Sequence, residues 1–219
     1  VGIDIKHLHI EYPDQLVFGD VSLTASDSEI VAIKTQVLDG ATSFLKGIAG
    51  FLKGVSGQVW VDDVDLLDSP SSEVYARIGY VYEENGLLSI YNIQQNICLP
   101  LQFHTNLSSA EIAQEALYIC DLLHIDHSLL ALHPHHLNDV QTRMVNLARA
   151  LITKPKVLLI DELEGGMPDE DLQDTMARLT HRQRDFPMAV IITTASEIVM
   201  NLSDRVLKIQ NNDLIEIFV

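Results

Sequence analysis

Seven short apolar runs punctuate the chain, and most are separated by stretches whose apolar residues recur at helical spacing. The runs cover residues 3–10, 30–33, 58–61, 78–82, 157–160, 189–193 and 205–209, and the clearest helical patterns cover 141–152 and 171–184. Strands alternating with helices predict an α/β protein with a mostly parallel sheet covered on both faces. Residues 108–132 break this rhythm. There Ile112, Ala116, Ile119, Leu122 and Leu123 keep helical spacing behind a helix start at Ser108 or Ser109 followed by Glu111. This predicts a helical subdomain, at about residues 90–140, inserted into the α/β core of a single domain spanning 1–219. A chain of 219 residues can bury a sizeable core, and no repeat, low-complexity segment or linker divides it.

The formal net charge of −17 argues against nucleic acid, which needs clustered Lys and Arg, and against unaided adsorption to an anionic membrane. No apolar run has the length of a membrane span, and no charged-then-apolar leader opens the sequence, so direct membrane insertion is not expected. Cys98 and Cys120 sit in apolar contexts without metal-ligand spacing and read as reduced core residues. His133, His135 and His136, with His124 and His127 nearby, lack a cysteine or carboxylate to complete a ligand set. No metal site is expected.

Residues 35–43, TQVLDGATS, lie between the apolar run 30–33 and a helical pattern at 44–52. This is the frame of a phosphate-binding loop, G-x-x-x-x-G-K-[ST]. In that motif glycines let backbone N–H groups close on phosphates, a lysine reaches them, and a hydroxyl holds Mg²⁺. Here Thr35 replaces the first glycine, Gly40 keeps the second, Ala41 replaces the lysine, and Thr42 and Ser43 keep the hydroxyls. The frame is kept and the cation is lost.

Five segments in order resemble the nucleotide-binding domain of ATP-binding-cassette (ABC) transporters. KGIAGFLKGVSG at 46–57 resembles the helix and turn after the P-loop. IGYVYEENGLL at 78–88 resembles the Q-loop strand, and LNDVQTRMVNLARAL at 137–151 occupies the place of LSGGQ-x-x-R-x-x-x-A-R-A-L. VLLIDE at 157–162 is a complete Walker B strand, and residues 190–207 resemble the switch region. The resemblance implies a P-loop NTPase-type ABC ATPase fold with an antiparallel β lobe beside the parallel core.

Carried over position by position, the resemblance implies losses. The Q-loop glutamine aligns with Glu83, the signature with Leu137–Asn138–Asp139–Val140–Gln141, the switch histidine with Ala195 and the D-loop aspartate with Pro168. Retained positions are Tyr12 for stacking on adenine, Gly40, Thr42 and Ser43 in the loop, Asp161 for Mg²⁺, and Glu162 for polarising the attacking water. These read as vestigial: Glu162 as the catalytic position, and Tyr12, Gly40, Thr42, Ser43, Glu83 and Asp161 as the nucleotide and Mg²⁺ positions. A missing lysine, a carboxylate at Asp39 and a missing switch histidine all weaken one function, neutralisation of phosphate charge.

The expectation is therefore a pseudo-ATPase with no cofactor, or one that binds ATP and Mg²⁺ weakly. The resemblance implies a transmembrane permease partner engaged through the Q-loop groove, a second ABC domain as homo- or heterodimer partner, and a cytoplasmic, peripheral place on the inner face of the membrane. NICLPLQFHTNLSSAE at 96–111 is similar to the N-V-x-L-P-L-x-x-H-T-x-L-S-x-x-E pattern of ATPases in MCE-type lipid-trafficking systems. Two alternatives stay open: an active ATPase rebuilt around Lys34 or Lys46, and a soluble scaffold or regulatory protein.

Overall fold

Alternation along the first strand, β1 (Ile3–Tyr12), decides where it lies. Ile3, Ile5, Leu8 and Ile10 are buried while Lys6, His7 and Glu11 face solvent. The period breaks once, between Ile5 and Leu8, where a bulge places His7 at φ 51°. β1 pairs antiparallel with β2 (Gln15–Ala25) and β4 (Val55–Val61), and β5 (Val64–Asp65) completes this sheet in the order β2-β1-β4-β5. These positions come from a computed structural model, which describes residues 2–68, 71, 75–83 and 86–218.

The second sheet has the order β10-β9-β3-β8-β7-β6. Its strands β3 (Ile30–Lys34), β6 (Ile78–Val81), β7 (Val157–Asp161), β8 (Ala189–Thr194) and β9 (Arg205–Gln210) run parallel, and β10 (Asp213–Ile217) closes one edge antiparallel to β9. Both faces are buried. Ile30, Ala32, Leu158, Ile160, Val190 and Ile192 join a cluster with the helices, whereas Val31, Ile33, Val157, Leu159, Ala189 and Ile191 join one with the antiparallel sheet. Burial on both faces is why these strands read as continuous apolar runs rather than alternating ones.

Six α-helices are described: α1 (Ala41–Ile48), α2 (Ile93–His104), α3 (Ser109–Leu122), α4 (Asp139–Leu151), α5 (Asp169–Asp185) and α6 (Glu197–Asn201). α2, α3 and α4 lie in the chain between β6 and β7. Each of the three opens with a capping box, Asn92 with Gln95, Ser108 with Glu111, and Asn138 with Gln141, which satisfies N–H groups the first turn leaves unpaired. α3 ends at Leu122, and His124 at φ 54° turns the chain out of the helix, so the helical spacing that runs on to 132 belongs to a turn and a short 3₁₀ segment. Cys98 on α2 and Cys120 on α3 are both free and buried. Burial, with Asp121 and Cys98 adding to it, pushes the Cys120 thiol up to about 12. No described helix is long and apolar enough to cross a membrane.

Three of the MCE-like letters have local roles. Buried Asn96 accepts the Leu88 N–H at 2.7 Å and donates to the carbonyls of Leu88, Tyr91 and Asn92. Ser108 and Glu111 form the α3 capping box.

Candidate functional site

β3 runs through the middle of its sheet and delivers the loop 35–40 to the sheet's edge, where α1 begins at Ala41. Gly40 caps this helix at φ 94°, and a side chain there would also run into Val17. The loop is held by its own acid. Asp39 accepts the Gln36 N–H at 2.6 Å through Oδ2 and the Ala41 N–H at 3.0 Å through Oδ1. Backbone donors of such a loop are the groups that would hold a phosphate oxygen.

The retained hydroxyls are engaged as well. Thr42, the second residue of α1, donates to Asp161 Oδ1 at 3.0 Å, and Thr193 of β8 donates to the same oxygen at 3.0 Å. Asp161 is thereby buried at the end of β7 with two hydroxyl partners. Ser43 lies 3.1 Å from the Tyr12 hydroxyl, which leaves the Tyr12 ring half-exposed beside the loop. Thr35, at the position of the first P-loop glycine, donates to Glu162 Oε1 at 3.3 Å.

Glu162 follows β7 at φ 47°, and its N–H donates to the carbonyl and hydroxyl oxygens of Thr193, both at 3.2 Å. Burial raises its carboxyl pKa first, and the neighbouring Glu83, Glu164 and Asp161 add to that, against a smaller lowering from Thr35. The cleft over the loop has a volume of about 680 Å³. Asp39, Glu83 and Glu162 line it together with Tyr12, and no Lys or Arg does among the described residues. Lys34 at the end of β3 and Lys46 in the last turn of α1 are therefore not lining groups. Residues 84 and 85 of the Q-loop segment lie outside the described residues.

Two residues that sequence reasoning passed over organise the rest. Arg143 of α4 donates to the main-chain oxygens of Glu83 at 3.0 Å, Glu162 at 2.7 Å and Gly165 at 2.8 Å. Glu164 accepts from the Thr194 hydroxyl at 2.7 Å and from the N–H groups of Ala195 at 2.7 Å and Ser196 at 3.3 Å. It thus fastens the segment where a switch histidine would stand. The only sequence signal for Glu164 is its spacing two residues after Glu162. For Arg143 there is none beyond a place on a predicted helix.

The signature positions form a helix start. Asn138 accepts the Gln141 N–H at 2.8 Å, and Gln141 Oε1 accepts the Asn138 N–H at 3.0 Å. Asp139 and Asn138 are exposed, and Pro168 caps α5. The rings of His135 and His136 lie tilted against each other at 40°, with centroids 4.0 Å apart.

A family model described as ABC transporter matches residues 18–164. The lipoprotein-releasing system ATP-binding protein LolD of Psychrobacter arcticus is 29% identical over 71% of this chain and 70% of its own length. The methionine import ATP-binding protein MetN of Campylobacter jejuni is 26% identical over 97% of this chain and 69% of its own. In structure, the chain is similar to a dimeric ATP-binding cassette in a post-hydrolysis state bound to ADP and Pi. The TM-score is 0.90 with 20% identity, covering 98% of this chain and 97% of that one. The order of strands, the loop at the end of β3 and the family match together place this chain in the ABC transporter family.

Proposed function

We propose that this chain is a catalytically silent ABC subunit of a membrane transporter, retained as a structural or regulatory partner that couples to a permease. One observation carries the reading: the Asp39 carboxylate sits on the loop's own N–H groups, in a cleft without a described cation. A triphosphate does not fit such a site. It would have to displace a tethered carboxylate and approach Glu83 and Glu162 without a lysine to offset the charge. A lost charge-assisted hydrogen bond weakens binding by about 1.5–3 kcal/mol, or roughly tenfold and more. Glu162, Asp161, Thr42, Ser43, Tyr12, Gly40 and Glu83 are then vestigial positions, and the side chains of Tyr12 with Ser43, Thr42 with Asp161 and Glu162 with Thr35 now hold the protein to itself.

Apolar side chains support a protein partner beside the Q-loop segment. Leu88, Ile90 and Phe103 are exposed, the last two by 75% and 76%. We assign this surface to a permease subunit and place the chain on the cytoplasmic face of the membrane, paired with a second cassette. The MCE-like segment and the similarity to a lipoprotein-releasing ATP-binding protein support a lipid-related cargo.

Calorimetric titration with Mg-ATP to millimolar concentration tests the reading. The expected outcome is no saturable heat. Saturable binding, with phosphate release that disappears in Glu162→Gln, would overturn it. Co-purification with a permease, lost in Ile90→Asp/Phe103→Asp, tests the coupling surface.

A further inference from the structure

A second cavity, of about 310 Å³, shares no lining residue with the loop cleft and lies between the turn after α3, the start of α4 and the first turns of α5. Its floor is apolar: Leu123, Ile125, Leu129, Val140, Met144 and Met167. Leu123, Ile125 and Met167 are buried, whereas Leu129, Val140 and Met144 are half-buried and form the accessible part. Thr175 adds no free polarity, because its hydroxyl donates to the Asp171 carbonyl at 2.8 Å. Unbranched, polarisable methionines let such a floor adapt to different apolar shapes.

The mouth is acidic. Asp126, Asp171 and Asp174 stand around it with Arg178 as the single described cation of the lining. Arg178 is already committed. Its Nε and Nη2 donate to Asp174 at 3.2 and 2.6 Å, Nη1 donates to the Leu122 carbonyl at 3.2 Å, and Nη2 donates to His124 Nδ1 at 2.8 Å. The guanidinium therefore neutralises Asp174 and leaves the charge of Asp126 and Asp171 facing the opening. Asp126 is ionised at neutral pH, since the Ser128 N–H and hydroxyl hold its carboxyl below the usual range. Along α5 the acidic strip continues through Glu170.

An apolar floor with an adaptable methionine pair and an acidic rim selects an apolar anchor flanked by positive charge. We propose that this cavity is a docking site for a basic amphipathic segment of a partner protein, one that inserts a Leu- or Phe-sized side chain between Val140, Met144 and Met167. Lysines or arginines beside that anchor meet Asp126 and Asp171. The site is separate from the loop cleft and does not depend on whether nucleotide binds there.

The five methionines make a direct test, because two line the cavity and three, Met176, Met188 and Met200, are buried in the core. The whole chain, labelled at its methionine methyl groups, is titrated with a synthetic helical peptide of about 14 leucines and lysines and with its glutamate-for-lysine counterpart. Saturable binding of the lysine peptide alone is expected, with the Met144 and Met167 signals moving and the other three staying. Asp126→Asn/Asp171→Asn should weaken binding by about tenfold, since rim charges lose attraction without a change of shape. Asp14→Asn/Asp20→Asn, on the exposed β1–β2 hairpin, should leave it unchanged. The proposal is overturned by absence of saturable binding, by binding that leaves Met144 and Met167 in place, or by equal loss in the hairpin variant. It is also overturned if those two signals move with protein concentration alone, which would assign the cavity to a second copy.

Discussion

Arg143 donates from Nη1 to the main-chain oxygen of Glu162 at 2.7 Å, so the helix carrying the signature positions is fastened to the end of the Walker B strand. The same side chain reaches Glu83 and Gly165, joining three loops through one guanidinium. A side chain at Gly165 would collide with it.

Arg143→Met keeps the apolar stem and removes the donors. It should cost about 3 kcal/mol, from hydrogen bonds made by a charged group, and lower the melting temperature by roughly 6–12 °C. Gly165→Ala should also destabilise. The double variant should lose less than the two single losses added together, because both act on one contact, and a thermal double-mutant cycle measures the difference.

Removing the internal acid should reopen the loop. Asp39→Ser/Ala41→Lys frees the N–H groups of Gln36 and Ala41 and restores a cation beside them. Saturable binding of Mg-ATP in calorimetry is expected in this variant, at least about tenfold tighter than in the parent chain.

Glu162 ties stability to pH. Its raised folded-state pKa means that the folded chain holds this proton more tightly than the unfolded one. Its contribution is present at acid pH and is lost as pH rises through the carboxylate range. Glu29 and Glu111 run the other way: their lowered carboxyls contribute at neutral pH and lose that contribution on acidification. Glu162→Gln, which keeps an acceptor for Thr35, should therefore melt higher than the parent at about pH 7.5, with the gap closing by about pH 4. Thermal melts across that range check it.

Asn96 is the peg of the turn before α2. Asn96→Ala strands the Leu88 N–H and the Tyr91 carbonyl and takes one of two donors from the carbonyls of Leu88 and Asn92, at a cost of about 2–4 kcal/mol for a buried, fully bonded amide. Limited proteolysis should then cut between residues 86 and 92 faster than in the parent.

Much of the architecture was legible in the sequence because buried parallel strands leave a plain signal. Val157–Asp161 and Ala189–Thr194 are buried throughout, and their residues 157–160 and 189–192 read as uninterrupted apolar runs. β2 was not legible, because Val17 and Phe18 are both buried and then Val21, Leu23 and Ala25 resume alternation. Its pairing with β1 is irregular there, which breaks the period-two pattern. α1 begins at Ala41, earlier than the apolar spacing from Phe44 suggests, because Gly40 caps it in the left-handed conformation. At the loop, residue types revealed the missing lysine and the extra carboxylate. They could not reveal that Asp39 turns inward onto Gln36 and Ala41, since that depends on the loop's backbone path. The reach of Arg143 across three loops was hidden for the same reason, being a product of tertiary contact alone.

The two interior thiols give this chain a built-in clock. Cys98 and Cys120 lie on neighbouring helices, both shielded and both poor at ionising, so a thiol reagent meets neither until α2 and α3 part. The rate at which such a reagent is consumed counts openings of that helical region directly. An occupied surface anywhere on those helices would be audible as a slower tick, without any label or added reporter.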